Sequence, residues 1–308
     1  MFRAKGFTEI NVPDQHGKCF VVTGANTGLG FEISRVLAAR GARVLLACRS
    51  EAKAEAAMAQ IRKATPGADL AFLSLDQADL ASVRTAAETA RKEPRIDALI
   101  NNAGVMFPPL SRTKQGFELQ FGVNHLGSFA LTSLLLPKLG EISGARVVIT
   151  SSLIHRGGKM DWDDLNAEQS YNKTQRYSDS KLANLLFLLE LDRRLRASSS
   201  RVLAVGCHPG VATTDLGRHM SIGKLLMPAL GAVGVFNTQA MGAWPTLQAA
   251  TGDVSPGGYY GPLGMGGIRG ASGESDRAPQ ARDLAAAQRL WDVSIAMTGI
   301  DSGLSPVS

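Results

Sequence analysis

The run Cys19-Phe20-Val21-Val22-Thr23, the turn Gly24-Ala25-Asn26-Thr27-Gly28-Leu29-Gly30 and the apolar repeat behind it constrain this chain more than any other feature. The short apolar run reads as a buried strand. Phe31 to Arg40 reads as a helix, with Ile33, Val36 and Leu37 apolar and Gly41 at its end. Ala42 to Cys48 reads as a second strand. Strand, glycine turn, helix and strand form a βαβ unit, which sets backbone N–H groups and a helix N-terminus against a pyrophosphate. The glycine spacing is Gly-x-x-x-Gly-x-Gly rather than the general Gly-x-Gly-x-x-Gly, so the nucleotide reading rests on the flanking elements.

The same alternation continues. Ala71 to Leu75, Ile96 to Ile100, Arg146 to Thr150 and Arg201 to Val205 read as further strands, with helices at Ser50 to Lys63 and Ser82 to Lys92. Phe117 to Pro137 reads as one long helix, and Ala278 to Met297 as the last. The glycine-rich stretch Gly257 to Gly273 reads as a loop. Without a composition break or repeat, the expected architecture is one α/β domain over 1–308. It is a doubly wound, Rossmann-type parallel sheet with helices on both faces.

Composition excludes several classes. The 308 residues carry a formal net charge of +6, but Lys and Arg are scattered without a basic run, which argues against nucleic acid. Three dispersed cysteines make no disulfide framework, and no Cys/His cluster has metal-ligand spacing. The first residues lack the apolar core of a signal peptide, and the apolar stretches are too short to span a bilayer. A cytoplasmic protein is expected.

Three features carry chemistry. The second strand ends Cys48-Arg49 with no acid until Glu51. An acid there would accept ribose hydroxyls, whereas a guanidinium pairs with a 2′-phosphate, so NADP(H) is favoured over NAD(H). Arg49 could instead simply open the charged helix behind it. Asp76, after the third strand, could cap the next element or lie near an adenine. Second, Asn124 sits inside the long helix, where Asn is unfavourable. It is either a surface residue or a buried one that breaks the ladder to hold water. Third, Tyr177 and Lys181 lie one helical turn apart, at about 3.6 residues per turn. A cation one turn away favours the phenolate and makes the phenol a usable acid/base. Tyr177, Lys181 and Asn184 form a polar stripe apart from Leu182, Leu185, Leu186 and Leu189.

Taken together, Thr23 to Gly30, Asn101-Asn102-Ala103-Gly104, Asn124, Ser151-Ser152, Tyr177-x-x-x-Lys181 and Pro209-Gly210 resemble the short-chain dehydrogenase/reductase family, in its order, over residues 17–215. The chain is most similar to the retinol dehydrogenase and protochlorophyllide reductase-like subgroup, through Ala47-Cys48-Arg49 and Gly257 to Pro262. The resemblance implies hydride transfer between NADP(H) and a lipophilic aldehyde, ketone or alcohol. Tyr177 would be the general acid or base, and Ser152, preferred to Ser151, would bind the carbonyl oxygen. Lys181 would bind the nicotinamide ribose and lower the tyrosine pKa, and Asn124 would hold a water. Cofactor contacts would come from Gly24, Asn26, Thr27, Gly28, Leu29, Gly30, Arg49, Asp76, Asn101, Ala103, Gly104, Tyr177, Lys181, Pro209, Gly210, Val211 and Thr213, with no metal. The 216–308 segment would form a lid and C-terminal extension, with Leu216 to Phe236 as lid, core packing or subunit surface.

The serine-to-tyrosine insert, Leu153 to Arg176, holds Asp161-Trp162-Asp163-Asp164, which reads as a solvated loop, and His155, which reads as structural. The same scaffold also supports epimerisation, dehydration and C=C reduction in the family. A cofactor-binding sensor without turnover is the rival from another class. Gly206-x-His208-x-Gly210 lacks the serine of a hydrolase elbow.

Overall fold

The computed structural model of the protein describes residues 6–211, 237–305 and 307. Six strands form where short apolar runs permit burial on both faces. They are β1 (Cys19–Thr23), β2 (Arg43–Cys48), β3 (Leu70–Ser74), β4 (Ala98–Asn101), β5 (Arg146–Thr150) and β6 (Leu203–Cys207). Two more, β7 (Tyr259–Gly264) and β8 (Arg269–Glu274), complete an eight-stranded sheet of order β3-β2-β1-β4-β5-β6-β7-β8. All neighbours are parallel except β7 and β8. The order reverses between β1 and β4, which opens a crevice beyond their carboxyl ends.

Successive strand residues feed opposite cores, as the two-residue period of a strand requires. Val21, Leu45, Leu99 and Val147 join the core under α3 (Leu80–Ala90), α5 (Gly127–Gly140), α6 (Lys173–Ala197) and α8 (Leu284–Thr298). Phe20, Val22, Leu46 and Ile100 join the other, under α1 (Gly28–Ala39), α2 (Glu51–Ala64) and α7 (Gln239–Thr251). The C-terminal part therefore supplies sheet and core on both faces. The expected lid, 216–236, lies outside the described residues.

Several expectations are corrected. Gly257 to Gly273 is not a loop but the β7–β8 hairpin, turned through Gly266 at φ +67° and Gly267 at φ +92°. Its Gly and Pro content has little strand propensity. Pairing with β6, at Gly206 to Tyr259 and Cys207 to Tyr260, makes it a strand. The outer edge of β8 is bridged by Phe7, whose N–H donates to the Ser272 carbonyl at 2.7 Å and whose carbonyl accepts the Ser272 N–H at 2.8 Å. The last helix starts at Leu284, capped by the Asp283 side chain, after a 3-10 turn at Pro279–Arg282.

The long helix expected from Phe117 runs continuously from Leu119 to Gly140 but changes type on the way. A short turn, α4 (Leu119–Phe121), passes into a π-helical segment, Gly122–Leu126, before α5 begins. Buried Asn124 lies in that segment. The acidic stretch is not solvated throughout. Asp164 is buried, paired with Arg176 at 2.8 Å, and accepts N–H groups from Glu168, Gln169 and Ser170. Half-buried Trp162 stacks under the Arg289 guanidinium at 4.5 Å.

Candidate active site

The crevice is a cleft of about 860 Å³. Thr23 fixes one wall: its hydroxyl accepts the N–H groups of Asn102 and Ala103, which ties the end of β1 to the end of β4. The chain then turns through Gly24 at φ +65° and Gly28 at φ +58°, conformations that favour glycine. A Cβ on Gly30 would come within 2.2 Å of the Gly24 carbonyl oxygen, so only glycine lets α1 approach the turn this closely. Helix α1 starts at Gly28, and its first-turn N–H groups have no intrahelical partners. Asn26, Thr27, Gly28, Leu29, Ala103 and Gly104 line the cleft with Gly24 and Gly30. At its far end stand Arg49, Ser50 and Lys53. This open, donor-rich wall, with cations at one end, fits a dinucleotide phosphate chain.

Behind Gly104 on the cleft wall lies α6, where Tyr177, Lys181 and Asn184 are all buried and do not themselves line the cleft. The polar stripe is thus turned inward, onto the end of β5. Lys181 Nζ donates to the Thr150 carbonyl at 3.4 Å and Asn184 Nδ2 donates to the same oxygen at 3.0 Å. The Ser152 hydroxyl is near enough to the Tyr177 phenol to favour its anion. Ser151 instead donates to the Lys181 carbonyl at 2.7 Å. Asn124 spends its side chain on protein partners, donating to Ser180 Oγ at 2.9 Å and exchanging two hydrogen bonds with the Val105 backbone. A Cβ on Gly104 would lie 3.1 Å from Asn124 Oδ1 and 3.5 Å from Lys181 Nζ, so this glycine leaves open the space beside both.

Burial sets the electrostatics here. It pushes the Tyr177 phenol above its ordinary value, opposed by the Ser152 hydroxyl. It also lowers Lys181 to about 8, with the nearby Cys207 acting the other way. The expected net lowering of the phenol by its neighbouring cation is therefore reversed in the protein alone. Lys181 Nζ sits 5.6 Å from the phenol ring centroid, and desolvation of both groups outweighs their proximity.

The family model for short chain dehydrogenases matches residues 18–223. This chain belongs to that family. Within the short-chain dehydrogenases it falls in the retinol dehydrogenase-like group. It is 42% identical to mouse (Mus musculus) retinol dehydrogenase 14 over 301 residues, covering 92% of this chain and 87% of that one. It is 41% identical to human (Homo sapiens) retinol dehydrogenase 12 over 301 residues, covering 95% and 89%. A crystal structure of an uncharacterized protein from Mycobacterium paratuberculosis matches with a TM-score of 0.81 and 38% identity, over 97% of this chain and 100% of that one.

Not every residue expected at the site of this short-chain dehydrogenase is brought there. Asn101 points away from the cleft and donates to Thr132 Oγ1 at 2.9 Å. Its neighbour Asn102, part of the same motif but not among the expected cofactor contacts, lines the cleft and donates to the Thr23 carbonyl at 2.9 Å. Asp76 lines the cleft and shapes its loop by accepting the Ala78 N–H, while Asp79 caps α3. Pro209, Gly210 and Val211 follow β6 at the same edge of the sheet but do not line the cleft. Thr213 lies outside the described residues. Lys53 was missed, although it stands in the first turn of α2, directly after the Arg49-Ser50 strand end. His155 is structural: its Nδ1–H donates to the Ser152 carbonyl at 2.7 Å and its Nε2 accepts the Ala278 N–H at 3.1 Å. Among the described residues, no helix is long and apolar enough to cross a membrane.

Proposed function

We propose that this short-chain dehydrogenase transfers a hydride between NADP(H) and the carbonyl or alcohol carbon of a lipophilic small molecule. The observation that carries the reading is that Tyr177, Ser152 and Lys181 converge next to Gly104, on the wall of a cleft that Arg49 and Lys53 also line. When bound, the nicotinamide supplies or takes the hydride. The glycine turn and the first turn of α1 hold the pyrophosphate, and Arg49 and Lys53 hold a 2′-phosphate. Ser152 and Tyr177 donate to the substrate oxygen, where negative charge develops during reduction. Tyr177 gives up its proton to that oxygen. Its raised pKa keeps it protonated across the neutral range, the state that carbonyl reduction needs. Lys181, poised near 8, holds the nicotinamide ribose and supports the phenolate left behind. The retinol dehydrogenase relatives support a lipophilic alcohol or aldehyde as substrate.

The test follows absorbance of the reduced nicotinamide with NADPH and with NADH, against apolar aldehydes and ketones including retinal. Turnover with NADPH that disappears in Tyr177→Phe is expected. Turnover with NADH alone would overturn the phosphate assignment, and undiminished turnover in Tyr177→Phe would overturn the acid/base assignment.

A further inference from the structure

The loop after β4 contains a residue that ordinary sterics disfavour. Phe107 has φ +57°, in the left-handed region where a bulky side chain is an outlier. It also precedes Pro108, which narrows its choices further. Such a conformation persists only where its surroundings over-determine it, and it marks a place where geometry serves a purpose.

Two buried amides impose it. Asn124 holds the Val105 backbone through both its N–H and its carbonyl. Two residues on, the fully buried Gln120 accepts the Phe107 N–H on Oε1 at 3.0 Å. The same Gln120 side chain donates through Nε2 to the Lys173 carbonyl at 3.0 Å and to the Tyr171 hydroxyl at 3.3 Å. Tyr171 in turn donates to the Pro108 carbonyl at 2.8 Å. One amide thus joins the loop to the first residue of α6, the helix that carries Tyr177 one turn later. The Phe107 ring packs against the Tyr177 ring, with centroids 5.2 Å apart and planes at 78°, an edge-to-face contact.

We propose that Phe107, held in its strained conformation by Gln120, is a positioning residue for the Tyr177 phenol, fixing the ring's orientation and keeping water from that side of it. This rests on the role given to Tyr177 above. The geometry fits that task. The phenol ring faces the Lys181 ammonium at 5.6 Å and Phe107 at 5.2 Å, and its hydroxyl is left to Ser152. A ring free to tilt would lose the alignment with Ser152 that two donors to one substrate oxygen require. Glycine at 107 would make the turn without strain, so relief of strain is not what selects phenylalanine there.

The experiment compares Phe107→Ala, which removes the ring, with Phe107→Leu, which keeps apolar bulk. Each is made with ring-fluorinated tyrosine, and the Tyr177 resonance is identified by its loss in Tyr177→Phe. Fluorine NMR then follows that ionisation with pH, independently of turnover. In Phe107→Ala the midpoint should fall by about one pH unit as water reaches the phenol. Its kcat should fall about tenfold with the KM for NADPH unchanged. Phe107→Leu should restore the midpoint and part of kcat. Melting curves report whether each variant is folded. An unchanged midpoint and kcat in a folded Phe107→Ala would overturn the proposal, and so would a fall in Phe107→Leu equal to that in Phe107→Ala. If the wild type turned over no substrate, the proposed function would fail, whereas the midpoint would still decide whether Phe107 shields and orients Tyr177.

Discussion

The two ends of the cleft are built on opposite principles. The phosphate end is made of backbone and glycine, with Arg49 standing exposed at the far end of the cleft. The catalytic end is made of side chains that would ordinarily sit in water. Tyr177, Lys181, Asn124 and Asn184 are all buried there and held by one another's helices and strands. An exposed cation attracts an anion at little cost to the fold, but salt screens it. A desolvated group interacts strongly with whatever enters, yet the fold bears the burden of it when nothing does. On the proposed function, binding is delegated to the first end and chemistry to the second.

Three experiments would break or sharpen that division. Tyr177→Phe should lower kcat about 10³-fold, the range of a lost general acid, with NADPH affinity unchanged by fluorescence titration. A parallel loss of affinity would show that the two ends are not separable. The reverse pattern is expected for Arg49→Ala combined with Lys53→Ala. There the KM for NADPH should rise about 10- to 100-fold, with kcat and the KM for NADH little changed, and the difference should shrink at high salt.

The smallest effect is on stability, and its sign is the informative part. In the fold Lys181 titrates at about 8, below its ordinary value of 10.5, so the folded protein disfavours the charged form. This penalty is complete below pH 8 and is relieved as pH rises from there towards 10.5. Lys181→Met should therefore stabilise the cofactor-free protein by about 2 kcal/mol at neutral pH while abolishing turnover. The gain should fade in denaturant titrations at alkaline pH. A destabilised Lys181→Met would mean that the ammonium is held better than its burial suggests.

How much of this is legible in the sequence depends on what holds each part. Strands β1, β2, β4, β5 and β6 are apolar runs buried on both faces, and such runs, like the half-buried edge strand β3, announce themselves. Strands β7 and β8 are not, since Tyr259 to Gly264 becomes a strand only because β6 offers an edge to pair with. Asn124 was conspicuous as a misplaced helix residue, but both a surface and a buried reading suited it, and only tertiary packing separates them. Asn101 and Asn102 show the limit at single-residue scale. Adjacent residues at a strand's end face opposite ways, so one meets Thr132 and the other the cleft. The Tyr177 and Lys181 spacing establishes that the two groups are neighbours. It is silent on desolvation, which reverses the expected direction for the phenol. Phe107 left no trace, because its conformation is imposed by Gln120 and Asn124 from another segment.

The bridge between Phe7 and Ser272 sets a condition on the order of events during synthesis. Its two halves are 265 positions apart (272 − 7), nearly the length of the chain. Contacts that far apart form late, because the intervening loop must be closed before they are rewarded. On the ribosome, the segment around Phe7 has no partner on β8 until the 265 positions up to Ser272 have been made. A segment written early is among the last to be put in place.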